Sequence, residues 1–250
     1  MSHILRSVDV KGALKARQRG FILNPYRYAQ AGGFPSSGLV SYYKLDANSN
    51  DSLGVNNGTD TTVSYANAGI QGNSATFAPG RIALTAGAPP TNTSVSFWFR
   101  RSAAGSAEEF IYGWYANDGI VYWRIGLSTF NAGALTLGIR SATSDFKFWD
   151  IANLVTDTTT FHHAVVTQAG TADPIIYLDG TSRAITLRAV SGTMAKWTGT
   201  VPHSIGRTVL SGNPHLPYSG RIDEVGLWNR ILSAAEVTTL WNSGLGITYP

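Results

Sequence analysis

Four groups of residues in this chain are of types from which a functional site could be built. Carboxylates come first, because cleaving a glycosidic bond takes two of them about 5–10 Å apart, one as acid and one as nucleophile or base. The chain holds four glutamates, Glu108, Glu109, Glu224 and Glu236. Glu108 and Glu109 are neighbours, so on a strand they point to opposite faces and cannot share one sugar; the expectation is a protein that is not an enzyme. A second group, Asp46, Asn48, Asp51 and Asn57 in one polar loop together with the distant Asp223, offers the hard oxygen ligands that calcium takes. The same side chains could instead close Asx turns, and their spacing is not that of a dedicated calcium loop. Calcium is thus an option, and no cofactor is required. The third group, His162-His163, cannot chelate one ion from a single face of a strand, so one ring should be packed and the other exposed. In the last group, Trp98, Tyr122, Arg124 and Arg140 are the expected outward residues of successive strands. Exposed aromatic rings stack on sugar faces while polar neighbours read the hydroxyls. Trp114 and Trp197, near loops, are weaker members. Against this, the same aromatics could pack on the domain's second sheet or on a neighbouring subunit. No phosphate-cradling loop or nucleophile elbow is present in the sequence.

The elements that must position these groups are mostly strands. Of 250 residues only 14% are charged, 27 are Gly and none is Cys, which fits one large β domain of short strands and turns without disulfides or thiolate metal sites. No apolar run is long enough to cross a bilayer, and the N-terminus lacks the apolar region of a secretory leader, so membrane insertion is not expected. The formal charge of +4 is unevenly placed. Residues 1–28 carry six Lys or Arg against Asp9, and the remainder carries 13 basic against 14 acidic side chains. The basicity belongs to an N-terminal arm and does not imply specific nucleic-acid binding.

Strand signals recur from Leu39 onward. Leu39–Asp46, Thr93–Arg100, Glu109–Tyr115, Ile120–Leu127, Ala134–Arg140, Phe161–Val166, Ile175–Leu178 and Arg221–Trp228 read as strands, many with alternating faces. In the last, Asp223 is expected on the inward face shared by Val225 and Leu227. Ser233-Ala-Ala-Glu236 has the form of a capping box, Leu232 and Val237 of a hydrophobic staple, and Val237, Leu240 and Trp241 give one short helix an apolar stripe that stops at Asn242-Ser243-Gly244.

Gly220, Ile222, Asp223, Glu224, Val225, Asn229, Arg230, Leu232, Ser233 and Glu236 together resemble the closing motif of the laminin G-like jelly rolls of the concanavalin A-like lectin and glucanase superfamily. Asp46, Asp51, Gly54, Asn57 and Gly58 fall where that family has its opening loop, Gly72–Phe77 resembles a family hairpin, Phe161–Val166 matches the family's paired-histidine strand, and Ile175–Gly180 matches a hairpin with Asp179 in place of Asn. The resemblance spans about residues 39–245. It implies an all-β, two-sheet antiparallel jelly-roll sandwich with one short C-terminal helix, to which the distinct composition of the first residues adds an N-terminal extended arm. The paired-carboxylate strand of the family's glucanases is missing.

Residues 1–37 are set apart as an anchoring arm and linker, and 38–250 as the sandwich. Ser7 could cap a helix over Val8–Arg19. Phe21, Ile22, Leu23, Pro25, Tyr26 and Tyr28 then form an apolar, aromatic run too greasy to stay free, followed by the joint-like AQAGGFPSSG. The run could dock on another molecule or fold back on its own sandwich. Its wording, GFILNPYRYA, resembles N-terminal segments of tailed-bacteriophage virion proteins. The resulting expectation is a homo-oligomeric virion decoration protein, assembled in the host cytoplasm, held to other virion proteins by the arm and displaying a lectin-like surface toward cell-surface or environmental glycans. The alternative is a free extracellular lectin, with calcium as an optional ligand.

Overall fold

The computed structural model describes residues 33–102, 108–128, 133–193 and 199–250, and Phe34–Pro250 forms one compact unit. The expected Val8–Arg19 helix, the anchoring residues Phe21, Ile22, Leu23, Pro25, Tyr26 and Tyr28, and Trp197 all lie outside the described residues.

Sixteen strands are present among the described residues. They are β1 (Leu39–Tyr43), β2 (Thr59–Ala68), β3 (Asn73–Gly87), β4 (Asn92–Arg101), β5 (Glu109–Tyr115), β6 (Tyr122–Leu127), β7 (Ala134–Ala142) and β8 (Asp145–Leu154), then β9 (His162–Ala169), β10 (Ile175–Leu178), β11 (Thr181–Arg183), β12 (Ile185–Ser191), β13 (Val201–Ile205), β14 (Thr208–Leu210), β15 (Asn213–His215) and β16 (Gly220–Trp228). All pairings are antiparallel. The main ladder runs β11-β10-β9-β4-β16-β3-β13-β5-β6-β7-β8-β12, with β1 also on β16 and β2 also on β3. It is one ladder folded into two layers. The long β3 makes the join, since Ala75–Phe77 pair with β16 while Ile82–Gly87 pair with β13.

The layers meet in a single core. Phe97, Phe99, Val166 and Ile176 from one side pack with Trp123, Ile125, Leu137, Trp149 and Ile151 from the other. Each such side chain contributes about 1.5–3 kcal/mol by leaving water. Two indoles still need acceptors for their N–H groups: Trp123 Nε1 donates to Gln168 Oε1 at 2.7 Å and Trp149 Nε1 to Asp173 Oδ1 at 3.1 Å.

The outer face of the β10-β9-β4-β16 layer is covered by the chain's own ends. Helix α1 (Ala234–Trp241) lays Val237 and Leu240 over Val165, Tyr177 and Trp228, with Leu232, Ile247 and the flanking Phe34. The expected capping box is formed: Ser233 Oγ accepts from Glu236 N, and Glu236 Oε2 accepts from Ser233 N at 2.8 Å. Asn242 closes the helix at φ 46°. Ser233→Ala is expected to cost about 1 kcal/mol of unfolding free energy, measurable in a urea titration. Phe34–Ser37, which read as linker, lie on this layer: Phe34 stacks on Trp228 at 6.1 Å, and Pro35 O accepts from Trp228 Nε1 at 2.6 Å.

One expectation about facing is overturned. Ile222, Val225 and Leu227 all join the core, whereas Asp223 pairs across the ladder with Trp98 on the outer face. The register slips between Asp223 and Gly226, and Glu224 takes φ 50°. This bulge adds a residue, so alternation counted back from Val225 is off by one.

Candidate functional site

The opposite outer face, that of β5 to β8, is open and aromatic. Two rows of cross-strand partners define it. In one, Tyr115, Tyr122, Arg140 and Phe146 succeed one another across β5, β6, β7 and β8; in the next, Gly113, Arg124, Gly138 and Phe148 do so. Tyr122, Arg124 and Arg140, expected to point outward, are on this face, and Phe146 and Phe148 stand beside them.

The glycines explain how an arginine can lie flat here. A Cβ at Gly138 would come within 2.8 Å of Phe148 Cε1 and 3.4 Å of Arg124 Nε, and one at Gly113 within 2.2 Å of Trp123 O. With neither present, Arg124 settles between rings, its guanidinium carbon 5.2 Å from the Tyr122 centroid and 5.5 Å from that of Phe148. Only 4% of it is exposed, and it donates from Nη2 to Glu108 Oε1. Its Nε and Nη1 have no acceptor, and the ring faces supply part of the compensation. Tyr115 and Tyr122 stack at 5.1 Å and 7°. Burial raises both phenols, which therefore stay neutral.

These residues, with Arg188, Ala189, His215 and Leu216, line a groove of about 450 Å³. The β14-β15 hairpin walls one side, with His215 5.7 Å from the Tyr115 ring. Burial, then the nearby Arg124, lowers the His215 imidazole, favouring its neutral form. Arg188 reaches over Phe148 at 4.8 Å and pairs with Asp150 at 3.1 Å. Arg140 is held by carbonyls: Nε donates to Ala142 O at 3.2 Å and Nη2 to Thr143 O at 2.9 Å. The result is a half-exposed phenylalanine pair ringed by rotationally fixed donors, suited to stacking on a ring with hydroxyl or acidic substituents.

Trp98 does not join this groove. It is 2% exposed on the other layer, 4.8 Å from the His163 ring, because β4 lies between β9 and β16 in the ladder. Trp114 is also buried, stacked on His203 at 4.1 Å and 10°. His163 is buried, bonded through Nε2 to Ser96 Oγ at 2.8 Å, while His162 is only half-buried and meets Asp179 at 2.9 Å. Glu108 and Glu109 diverge, one to Arg124 and the other to the inward Arg101 at 3.6 Å.

Of the five oxygen-bearing residues considered for calcium, Asp46, Asn48 and Asp51 line one pocket, and all five accept hydrogen bonds from backbone N–H groups. Asp51 accepts from the backbone N–H groups of Tyr42, Leu53, Val55 and Asn56. Asn57 accepts from Asp51 N at 3.0 Å and Asn48 from Asn50 N at 2.9 Å. Asp46 accepts from Asn73 N at 2.9 Å, and Asp223 from Ile70 N at 2.8 Å and Gln71 N at 3.3 Å. These N–H groups point their positive ends at the oxygens a cation would need, which is the turn-closing alternative. Asp223 thus fastens the closing strand to the turn at residues 69–73, not to the Asp51 loop. Among the described residues no cluster of three or more His, Asp or Glu is placed to hold a metal.

A laminin G family model, described as concanavalin A-like lectin/glucanases superfamily, matches residues 71–238. The chain belongs to this superfamily. No curated protein matches the sequence. Solved structures similar to this laminin G-like chain include domain 4 of a GH43 extracellular arabinanase from Geobacillus stearothermophilus, in complex with arabinotriose. That match has 21% identity and a TM-score of 0.62, covering 84% of this chain and 98% of that one. The binding domain of Paraclostridial Mosquitocidal Protein 1 is 17% identical with a TM-score of 0.61, covering 84% and 53%. The Botulinum neurotoxin serotype D ligand binding domain, in complex with N-acetylneuraminic acid, is 13% identical with a TM-score of 0.60, covering 82% and 51%. This chain spans about half the length of the two toxin domains. At such identities the likeness is one of fold.

Proposed function

We propose that this laminin G-like sandwich is a non-enzymatic carbohydrate-binding module whose ligand lies in the β5–β8 groove. The observation that carries the reading is the Phe146–Phe148 pair, with ring centroids 5.9 Å apart, set beside Arg140, Arg124 and the Tyr115–Tyr122 stack in one groove. Half-buried rings give a sugar face its stacking partner, and fixed guanidinium and phenol groups read its hydroxyls. Two proteins of similar fold were solved with saccharides, arabinotriose and N-acetylneuraminic acid, which agrees with this use of the fold. Binding in this reading needs no cofactor. Phe146→Ala is expected to weaken binding of array-selected glycans at least about tenfold, ~1.4 kcal/mol, with an unchanged far-UV spectrum, while a chelator leaves affinity as it was. Full affinity in the variant would defeat the assignment.

In the same reading the module is carried by residues 1–37 as a decoration protein of a bacteriophage virion, and oligomerises there. The concentration of six basic and five aromatic or aliphatic anchoring residues in residues 1–28, ahead of a body with nearly balanced charge, supports an attachment segment. Deleting residues 1–30 is expected to leave a folded, glycan-binding protein that no longer co-sediments with particles. Particle binding by the truncated protein would overturn the attachment role.

A further inference from the structure

Two of the three arginines lining the groove have carboxylate partners. Arg124 is paired with Glu108, and Arg188 with Asp150. Arg140 is different: its contacts are with the carbonyls of Gly119, Ala142 and Thr143, and among the described residues it forms no ion pair. The groove therefore carries one surplus positive charge, although the chain after residue 28 has 13 basic against 14 acidic groups. The surplus is local, and the aromatic walls concentrate its field.

The position of Arg140 is also specific. It sits directly between Tyr122 and Phe146 in the cross-strand row. Partners on one face of an antiparallel pair have Cβ atoms about 4.5–5.5 Å apart, roughly the distance from the middle of a sugar ring to an exocyclic substituent plus a hydrogen bond. Carbonyl contacts fix the guanidinium in orientation without neutralising it, and a planar guanidinium matches the two oxygens of an oxyanion.

We propose that the groove selects acidic saccharides, the sugar ring resting on Phe146 and its carboxylate or sulfate group meeting Arg140. The proposal rests on the carbohydrate-binding reading above and adds the ligand's charge class to it. Carboxylate and sulfate are the same chemistry toward a guanidinium, so both enter the test.

The experiment is calorimetric titration of the full-length chain with trigalacturonic acid, with a chondroitin sulfate tetrasaccharide and with neutral galactotriose, each at about 20 and 200 mM salt. One acidic probe is expected to bind at least tenfold more tightly than galactotriose, with an advantage that shrinks at the higher salt. Arg140→Gln should reduce the acidic-to-neutral affinity ratio at least fivefold, Arg140→Lys should restore part of it, and Arg100→Gln, on the other layer, should leave it unchanged. Near-UV circular dichroism confirms that each variant is folded. Galactotriose binding as tightly as both acidic probes overturns the charge selectivity and leaves the carbohydrate reading standing. Binding of none of the three overturns both. An undiminished ratio in folded Arg140→Gln removes Arg140 from the role.

Discussion

Replacing Trp228 by Ala is expected to lower the unfolding free energy by about 3–5 kcal/mol, a large part of the ~5–15 kcal/mol that holds a typical domain together. Three contributions meet in this side chain. Its ring is fully buried and joins the cluster that seats helix α1 through Leu232, Val237 and Leu240. Phe34 stacks on it, and its Nε1–H is satisfied by Pro35 O at 2.6 Å. Gly226, two residues earlier on the same face, leaves the room, since a Cβ there would fall 2.5 Å from the indole Cη2. Truncation opens a cavity that surrounding structure cannot fill and leaves a carbonyl without its donor. Trp228→Phe should cost less than the alanine change, because it keeps most of the packing and loses the hydrogen bond. Chemical denaturation of the three proteins measures the series, and a loss under about 1 kcal/mol for alanine would show that α1 docks independently of this ring.

A second large effect is expected with pH. Stability should fall by on the order of 2 kcal/mol between about pH 6.5 and pH 8.5, the reverse of ordinary acid denaturation. Asp223 and Glu224 lie side by side on the bulge, under the C-terminal segment, and burial pushes their carboxyls up to about 7 and about 8, with the charge of Asp46 adding to the shift of both and that of Asp223 to the shift of Glu224. Tyr42 Oη meets Glu224 Oε2, and Thr248 also hydrogen-bonds the Glu224 carboxyl. The folded protein therefore keeps protons that the unfolded chain releases near pH 4, so unfolding is increasingly favoured as pH rises above about 4, until the folded groups themselves ionise near 7 and 8. Glu109, raised to about 7 by burial against the opposing pull of Arg101, acts in the same direction. The Asp179 hydrogen bond raises His162, whose stabilising charge is likewise lost as pH rises. His163 and His203 act oppositely but at lower pH: burial pushes both down to about 3, so they take up protons only on unfolding and destabilise the fold below about pH 6.5. Because these two histidines offset part of the carboxyl contribution below about pH 6.5, the net fall in stability is steepest between about pH 6.5 and pH 8. Glu224→Gln keeps an acceptor for Tyr42, removes the ionisation and should recover about half of the alkaline loss or more. Melting temperatures of both proteins across this range check it, and parallel curves would refute the assignment to Glu224.

Legibility from the sequence followed the clarity of alternation. The capping box at Ser233 and Glu236, the paired histidines and the core faces of β6 and β7 could be read directly, because each combines a local pattern with one obvious apolar side. Strand β8 could not. Trp149 and Ile151 enter the core while Phe146 and Phe148 line the groove, so its two faces look alike and no polar half marks the strand. That doubled apolarity between polar strands was the available signal for the two residues the site most needs. Alternation puts Asp223 on the wrong face because one residue at the Glu224 bulge shifts the count, and a bulge with a non-glycine at positive φ leaves no mark in the pattern. Joining Trp98 to Tyr122 requires successive strands to be neighbours, but the ladder sets β4 between β9 and β16, far from β6. Strand order depends on long-range pairing, which local composition does not encode.

The Phe34 clasp has a further consequence for handling the molecule. Phe34 lies 5.3 Å from the ring of Tyr249, so the first and last residues of the sandwich meet on one outer face while the groove occupies the other. Proximity of this kind permits circular permutation. A short linker across the clasp, with new ends opened in a surface turn such as that at Gly170, would join the two ends of the Phe34–Pro250 unit and leave the groove's strands uncut.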